Sequence, residues 1–342
     1  MNNISKNKFS GYILTSADTV KLSIVVAAKN EAANINSLIN SIKNNDYSFE
    51  NFELIIIDDK STDETFQVAE KALRAFSNFN IYKVKEKKHK GKRGALDYGI
   101  RLAANPYILI TDADCKPGKN WLKAMADKFL SGCDFVIGVA PFIQRNKLIN
   151  KIACYENFKN SLLAFTAARM GLPYTASARN FGFRKDAFVS IGGFSNTTQS
   201  ISGDDDLLLR EAIKNNLNIC TLRSQNSFVY SETKNSFKEY FRQRARHTQA
   251  SFYYTLKQKL FLAIWHFLNL LFFFSPVLLF VNKAFIIPFI VKILFDAAIA
   301  VRFQSKFGYK FKLIDIAYLQ FFYEIFLIIH FFNAKFSKVK WK

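Results

Sequence analysis

The sequence predicts an α/β protein in two parts: a Rossmann-like, doubly wound parallel sheet, followed by C-terminal transmembrane helices. Apolar runs of strand length alternate with segments whose apolar residues recur at helical spacing. Several of these strands end in acidic residues, at the sheet edge where such folds bind ligands. Three apolar stretches of about 18 to 22 residues follow Leu260, and each is long enough to cross a membrane.

The first half of the chain carries the regular alternation. Leu22 to Ala28 is a continuous apolar run, typical of a parallel strand covered on both faces. Asn30 and Glu31 follow it and open a helix. The later strands are "FELIIIDD", "NIYKV" and "YILITDADC", and the first and last of them place four acids at the ligand edge: Asp58, Asp59, Asp112 and Asp114.

The second half is less regular. "DFVIGVAPF" predicts a strand, residues 146–170 a long amphipathic helix, and "YTASARNFGF" a short strand. The run "SGDDDLLLR" at 202–210 places three carboxylates at the start of a buried helix. A strand near Asn218 to Leu222 and a basic helix from about Asn235 to Lys257 complete the predicted domain.

Three spans are predicted in the C-terminal part, at about 260–281, 284–301 and 313–332. Lys292 and Asp296 interrupt the second span one helical turn apart, so we expect them to pair inside the bundle. The predicted organisation is a leader (1–21), a catalytic domain (22–257, with halves 22–125 and 126–257) and a membrane unit (258–342). The basic helix of the second half is expected to lie at the membrane interface.

The basic segments predict the orientation in the membrane. Residues 235–259 and "RFQSKFGYKFK" are rich in Lys and Arg and belong on the cytoplasmic side. We therefore expect a multi-pass protein of the inner (cell) membrane with a cytoplasmic catalytic domain. The side of the C-terminal tail stays open, because three spans would place its lysines outside, against the same rule. Residues 1–21 contain no apolar run of signal-peptide length.

The net charge limits the expected classes of partner, and the cysteine content limits the expected disulfides and metal sites. The formal net charge of +21 favours anionic partners. Because no nucleic-acid-binding motif is present, we expect an anionic lipid surface and a nucleotide substrate and no nucleic acid. The four cysteines form no C-x-x-C pair, which predicts free, mostly buried thiols and no zinc site.

Three segments permit specific chemistry. In "TDADC", Asp112 and Asp114 can share one hard cation, Mg²⁺ or Mn²⁺, although a polar strand end is the simpler alternative. The acids of "IIIDDKST" can accept hydrogen bonds from a base or ribose, or serve only as helix caps. "KEKKHKGKRGALDYGI" brings cations to a helix start, which is typical of a phosphate site, with a solvated basic loop as the alternative. Lys92, beside Gly94, is the candidate phosphate ligand there.

Together these segments resemble the family 2 glycosyltransferases, of the nucleotide-sugar-binding GT-A fold and the membrane-anchored bacterial type. The resemblance covers residues 22–247 in six blocks, namely "SIVVAAKNEAANI", "IIIDDKSTDET", "KRGALDYGI", "TDADC", "SGDDDLLL" and "QRARH".

The resemblance implies a role for each matching residue. Asp205 falls at the position of the catalytic base, with Asp204 in the acidic position before it. Gln243 and Arg246 match two letters of the family's Q-x-x-R-W motif, in which His247 here replaces the tryptophan and is also a candidate metal ligand. The remaining implied roles are nucleotide binding by Asp59 with Asn30 and Glu31 beside it, a place near the nucleotide for Lys92, and metal and diphosphate binding by Asp112 and Asp114.

The expected function is an inverting, metal-dependent transfer of sugar from a nucleoside diphosphate sugar, a UDP-sugar, to a lipid or lipid-linked glycan. Such a reaction needs a base for the acceptor hydroxyl and positive charge for the departing diphosphate. We expect Arg244, Arg246 and His247 to cover the diphosphate, and Asp206 to cap its helix or face solvent.

Other functions remain open at this point. A processive polysaccharide synthase is disfavoured by His247 and by only three spans. A nucleotidyltransferase on a related fold would normally carry a glycine-rich loop after the first strand, where this chain has "AAKNEAAN". A membrane scaffold without activity is disfavoured by the intact Asp112, Asp114 and Asp205.

Overall fold

The computed structural model describes residues 19–200 and 203–336. Most of the predicted leader and the tail lysines Lys338, Lys340 and Lys342 lie outside these ranges. The strands are β1 (Leu22–Ala28), β2 (Phe52–Asp58), β3 (Phe79–Lys83), β4 (Tyr107–Asp112), β5 (Cys115–Pro117), β6 (Phe135–Gly138), β7 (Phe181–Arg184), β8 (Ile219–Leu222) and β9 (Val229–Ser231).

The helices alternate with the strands up to β9, and the described chain after β9 is helical. They are α1 (Ile35–Lys43), α2 (Thr65–Leu73), α3 (Lys92–Leu102), α4 (Trp121–Leu130), α5 (Leu148–Arg169), α6 (Lys185–Ser190), α7 (Asp204–Lys214), α8 (Phe237–Ala250), α9 (Leu256–Phe274), α10 (Ile286–Phe303) and α11 (Leu313–Phe336).

Seven strands form the central sheet in the order β3-β2-β1-β4-β7-β6-β8. The predicted parallel arrangement is confirmed for β3-β2-β1-β4. It is wrong for β7, which runs antiparallel to both of its neighbours and makes the sheet mixed. The short, buried run "FGFR" indicates burial but not direction, because a strand covered on both faces has the same pattern in either orientation.

Helices cover both faces of the sheet. α1, α2 and α4 pack on one face in a core that includes the fully buried Leu22, Ile24 and Val26. α3, α5 and α7 pack on the other face, and their core extends without a break to α11. Burying each such aliphatic side chain stabilises the fold by about 1.5–3 kcal/mol. The central sheet and the last helix therefore share one core.

The expectation of free cysteines is wrong for one pair. Cys133, after α4, and Cys220, in β8, form a disulfide with their Cα atoms 5.8 Å apart. The pairing is invisible in the sequence because 87 residues separate the two, and only the β6–β8 pairing brings them together. Cys115 and Cys154 are free and buried, as expected.

Three helices of the described chain are long and apolar enough to cross a membrane: Leu256–Leu278, Lys283–Phe307 and Leu313–Phe336. The first begins earlier than predicted, and the basic helix before it ends at Ala250, not near Lys257. Thr255 explains the difference, because its side chain caps α9 and forms a capping box with Gln258.

The predicted pair inside the bundle is confirmed and is part of a larger network. Lys292 Nζ lies 2.8 Å from Asp296 and 2.7 Å from Glu324 of α11. Lys159 of α5 reaches the other oxygen of Asp296 at 2.9 Å. Because α5 packs on the central sheet, these buried ion pairs fix the sheet and its helices against α10 and α11. Buried charges of this kind are stable only when each has its partner.

Candidate active site

One large cleft, of about 2080 Å³, opens at the carboxyl ends of β1, β2 and β4. The start of α7 and one face of α8 form its other walls. Nearly all the residues implied by the resemblance line it: Glu31, Asp59, Lys92, Asp112, Asp114, Asp204, Asp205, Gln243, Arg246 and His247. Asn30 is absent from its walls, although it lies between Lys29 and Glu31, which line them.

Asn30 joins two loops at the edge of the cleft. Its φ of 57° is left-handed, a region that asparagine tolerates better than most residues. Its side-chain oxygen accepts a hydrogen bond from the Thr62 amide at 2.8 Å, and its own amide donates to Ser61 Oγ at 3.0 Å. Glu31 donates its amide to Thr65 Oγ1 at 2.7 Å. The β1–α1 loop is thereby fixed to the β2–α2 loop.

Asp59 is buried and paired. Lys87 Nζ donates to both of its carboxylate oxygens, at 2.6 and 2.8 Å. The same ammonium contacts the carbonyl of Gly91 at 3.3 Å, just before α3. Lys87 belongs to the basic loop that sequence analysis singled out, but its pairing with Asp59 was not predicted. A nucleotide base that binds Asp59 would share this carboxylate with Lys87.

The first turn of α3 sends two adjacent cations to different carboxylates. Lys92 pairs with Asp112 at the end of β4, and Arg93 pairs with Asp204 at the start of α7. Glycine is required at position 94, because a Cβ there would overlap the carbonyl oxygen of His89. The close turn places Lys92 on the wall of the cleft and buries Arg93, which is 5% exposed.

Asp112 and Asp114 form, with Cys115, a group whose ligand atoms all lie within 4.8 Å of one another. Two carboxylates suit a hard divalent cation, whereas a thiol does not. Burial raises the pKa of the Cys115 thiol well above its usual value, so this sulfur stays protonated. His247, the additional candidate ligand, is not part of this group within the described chain.

The two acids of the pair differ in proton affinity. Burial, together with the neighbouring Asp112, raises the pKa of Asp114. Burial acts on Asp112 as well, but the Lys92 ammonium outweighs it and lowers the pKa of Asp112. Because mutual repulsion contributes to the raised pKa of Asp114, a divalent cation between the two would favour ionisation of both.

The three carboxylates of α7 point to three separate sets of partners. Asp204 is held by Arg93. One oxygen of Asp205 accepts a hydrogen bond from the Ala178 amide at 2.7 Å. All three lie in the first turn of the helix, where the N-terminal dipole favours negative charge. The repulsion among the three neighbouring carboxylates is therefore reduced by their separate partners and by the N-terminal end of the helix dipole.

The expectation that Asp206 caps the helix or faces solvent is wrong. Asp206 is 8% exposed and accepts hydrogen bonds from Thr175 Oγ1 at 2.7 Å and from the Ala176 amide at 2.9 Å. Its second oxygen lies 3.1 Å from the hydroxyl of Tyr254. Asp206 thus connects α7 to the 175–178 segment, which also holds Asp205, and to the residue that precedes α9 by two positions.

Burial raises the pKa of all three acids. For Asp206 burial and the neighbouring Asp205 raise the pKa to about 8, so this carboxyl is protonated at neutral pH. For Asp204 and Asp205 burial is also the largest cause. Because Asp206 is neutral, the first turn of α7 carries less negative charge than three aspartates would give it. The raised pKa of Asp205 suits a general base, which must bind a proton during the reaction.

Replacing Asp206 with asparagine is expected to be tolerated, because the amide resembles the protonated carboxyl in shape and hydrogen bonding. The pKa of Asp206 rises on folding, so its protonation contributes stability that is lost as pH increases toward about 8. Asp206→Asn should therefore gain stability relative to wild type between about pH 5 and pH 9, by at least about 1.4 kcal/mol.

The measurement is thermal unfolding in detergent at several pH values. Asp127→Asn makes the same chemical change at an exposed position of α4 and is the matched control. A constant difference between Asp206→Asn and wild type across this range would contradict the assignment.

α8 contributes fewer cations to the cleft than expected. Arg244 is paired with Glu156 of α5 at 2.6 Å, so its charge is already compensated. His247 faces the cleft, where desolvation and the nearby Arg246 and Arg244 hold its pKa well below the usual value. Arg244 and His247 both line the cleft, so the expectation that they cover a diphosphate stays a prediction. Arg246 of the same helix also lines the cleft.

Sequence analysis missed Arg179, a further cation on the wall of the cleft. Its Nη1 donates to Ser231 Oγ at 2.7 Å, and its guanidinium lies 4.4 Å from the ring centre of Phe142. Its charge acts to lower the pKa of both Asp112 and Asp114, so it lies close to the acid pair. Arg179 lies in the segment "YTASARNFGF", which sequence analysis interpreted only as a short strand.

Comparison with known sequences agrees with this geometry. The sequence model of the family described as "Glycosyl transferase family 2" matches residues 23–192. Glycosyltransferase AglE of Haloferax volcanii is 26% identical over 185 residues, 54% of this chain and 58% of that protein. The beta-monoglucosyldiacylglycerol synthase of a Nostoc species is 29% identical over 205 residues, 55% of this chain and 40% of that protein. The chain thus spans about half the length of these curated relatives.

A solved structure shares the fold over almost the whole chain. The mannosyltransferase PcManGT of Pyrobaculum calidifontis, in complex with GDP-Man and Mn²⁺, superposes with a TM-score of 0.57 at 16% identity. The superposition covers 96% of this chain and 92% of that one. The GT-A fold is therefore confirmed, together with C-terminal helices able to cross a membrane. The chain therefore contains a domain of glycosyl transferase family 2, at residues 23–192.

Proposed function

We propose that this protein transfers a sugar, with inversion, from a nucleoside diphosphate sugar to a hydroxyl of a lipid or lipid-linked glycan at the cytoplasmic face of the cell membrane. One observation carries the proposal. The acid pair Asp112/Asp114 and the half-buried Asp205 line one cleft, which continues between helices able to cross a membrane. We retain residues 22–257 as the catalytic domain and 258–342 as the membrane unit.

The donor is proposed to bind at the carboxyl ends of β1, β2 and β4. Asp59 and the 30–31 loop would contact the nucleoside, and Lys92, Arg179, Arg246 and Gln243 its diphosphate. Of these cations, Arg179 and Arg246 act electrostatically on Asp112, so they lie where the diphosphate would meet a metal ion. We propose a UDP-sugar as the donor.

Mg²⁺ or Mn²⁺ fits the site, because Asp112 and Asp114 offer oxygen ligands from one strand end. When bound, such an ion would neutralise negative charge on the diphosphate. PcManGT was solved with Mn²⁺, which supports this choice by analogy of fold alone.

Asp205 is proposed as the base. One of its oxygens is held by the Ala178 amide, which leaves the other to accept the acceptor's hydroxyl proton. As that proton moves, the hydroxyl oxygen bonds to the anomeric carbon, and the bond to the diphosphate breaks with the electron pair leaving on phosphate oxygen. Asp204, fixed by Arg93, keeps the start of α7 in position.

The test is transfer by the purified chain in detergent. UDP, GDP and dTDP sugars labelled with ¹⁴C would be supplied with Mn²⁺ and a total membrane lipid extract. We expect label in the lipid phase and a rise in melting temperature with the matching nucleotide diphosphate. A chain that binds none of these nucleotides, or that synthesises nucleotide sugars from sugar phosphates, would contradict the proposal and favour a nucleotidyltransferase.

A further inference from the structure

The cleft is larger than a nucleotide sugar needs. Its volume of about 2080 Å³ exceeds the roughly 300–1,000 Å³ of ordinary ligand pockets. Part of its wall comes from α9, through Leu262, Ala263, His266 and Leu270, and part from α11. Because both helices are long and apolar enough to cross a membrane, the additional volume of the cleft lies between helices of this kind. A second, amphiphilic ligand would fill it.

Aromatic rings of α9, α10 and α11 pack together at the end of this volume that lies farther from the central sheet. Phe273 of α9 and Phe321 of α11 have ring centroids 5.7 Å apart, and Phe289 of α10 lies within 6.2 Å of both. Closer to the catalytic domain the two helices separate, and Leu270 and Leu327 mark the first positions lining the cavity. We call this space, between Lys259–Leu270 and Leu327–Lys335, the α9–α11 cleft.

The near end opens beside the proposed base. Tyr254, which precedes α9 by two residues, contacts Asp206, the neighbour of Asp205. Gln258 of α9 donates to the carbonyl of Pro173 at 2.8 Å, which fixes the start of α9 to the same segment. Along α9 the cleft runs for about 16 Å, roughly half of a hydrocarbon core. A lipid tail in it would place its head at the site.

The walls suit a chain with some polar groups near its head. α9 and α11 present both apolar side chains, such as Leu262 and Leu327, and the cation Lys259. α5 adds three polar residues to the same cavity: Asn157, Asn160 and Ser161. His266 Nδ1 is buried without a hydrogen-bond partner among the described residues. An ester or hydroxyl of a bound lipid could satisfy it, whereas a plain hydrocarbon could not.

The head of the lipid would lie among charges of both signs. Lys92 and Arg93 are paired with Asp112 and Asp204, whereas Arg246 also lines the cleft and acts electrostatically on Asp205. A free hydroxyl on the head would supply the proton that Asp205 takes.

From these observations we propose that the α9–α11 cleft binds the hydrocarbon tail of the acceptor, a lipid with a free hydroxyl. The proposal rests on the proposed function, because it assigns the acceptor of the same reaction. It adds the place where the lipid enters and the residues that hold it.

The test uses a diacylglycerol with a photoreactive diazirine in one acyl chain, mixed into phosphatidylcholine vesicles that contain the full chain. Irradiation and peptide mass spectrometry should place label on Leu262, His266 and Leu327. Ala263→Trp, which fills the cleft, should lower that labelling by at least about fivefold. Ile264→Trp is the matched control, because Ile264 is 60% exposed and does not line the cavity; it should leave cleft labelling unchanged.

Two measurements, the melting temperature with UDP and Mn²⁺ and the labelling of the cleft, distinguish a failure of this proposal from a failure of the proposed function. UDP with Mn²⁺ should raise the melting temperature of both tryptophan variants equally, which shows that each is folded and binds donor. Label confined to outward-facing positions such as Leu294, or cleft labelling unaffected by Ala263→Trp, would overturn the cleft as the lipid site even if sugar transfer occurs. Cleft labelling that responds to Ala263→Trp in a chain that transfers no sugar would support the lipid site and contradict the transferase function.

Discussion

Asp205→Asn is expected to lower the rate of sugar transfer by about 10²–10⁴-fold, the range that a positioned general base contributes. The asparagine oxygen can still accept the hydrogen bond from the Ala178 amide, so the start of α7 should keep its geometry. Its amide nitrogen cannot take a proton from the acceptor. Donor binding should persist, because the residues proposed to hold the nucleotide are on other elements.

Single-turnover transfer and nucleotide calorimetry on the same preparation would separate these effects. Asp127→Asn makes the same chemical change on the exposed side of α4 and should behave as wild type. Turnover near the wild-type rate in Asp205→Asn would remove Asp205 as the base. Loss of nucleotide affinity in parallel with turnover would instead assign this carboxylate to donor binding.

Asp114→Ala is expected to abolish the metal-dependent part of donor affinity. Even groups that only orient a metal ligand change affinity by about 10–100-fold, so removing one of two carboxylate ligands should cost at least about 100-fold. Cys115 cannot substitute, because its buried thiol is protonated and soft. The pairing of Lys92 with Asp112 should remain.

Calorimetry of UDP binding, with and without Mn²⁺, measures this prediction directly. In wild type Mn²⁺ should strengthen binding, and in Asp114→Ala the two titrations should coincide. Asp127→Ala serves as the control for the loss of a carboxylate. An unchanged Mn²⁺ response in Asp114→Ala would show that the ion, if bound, is held elsewhere.

The sequence was most informative where burial and periodicity are strong. β1, β2 and β4 are long apolar runs that end in acids, so the ligand edge and Asp112/Asp114 followed from pattern alone. α5 and the spans were likewise predicted from length and apolar spacing. The ends of the helices were less predictable. Thr255 starts α9 through a local cap, and the apolar pattern of the sequence does not reveal that cap.

Features that depend on distant contacts were not predictable. The Cys133–Cys220 disulfide requires the β6–β8 pairing. The burial of Asp206 requires the 175–178 segment and Tyr254 to close over α7. The pairing of Arg244 with Glu156 turns a cation of the expected phosphate site toward α5. In each case the residue type is visible in the sequence, but its partner lies at least thirty positions away.

The most direct test of the central claim is the stereochemistry of the product. Proton NMR of the sugar transferred to lipid reports the configuration of its anomeric carbon. A single displacement assisted by Asp205 predicts the configuration opposite to that of the nucleotide sugar. Retention of the donor configuration, or release of free sugar as the sole product with lipid present, would contradict the account.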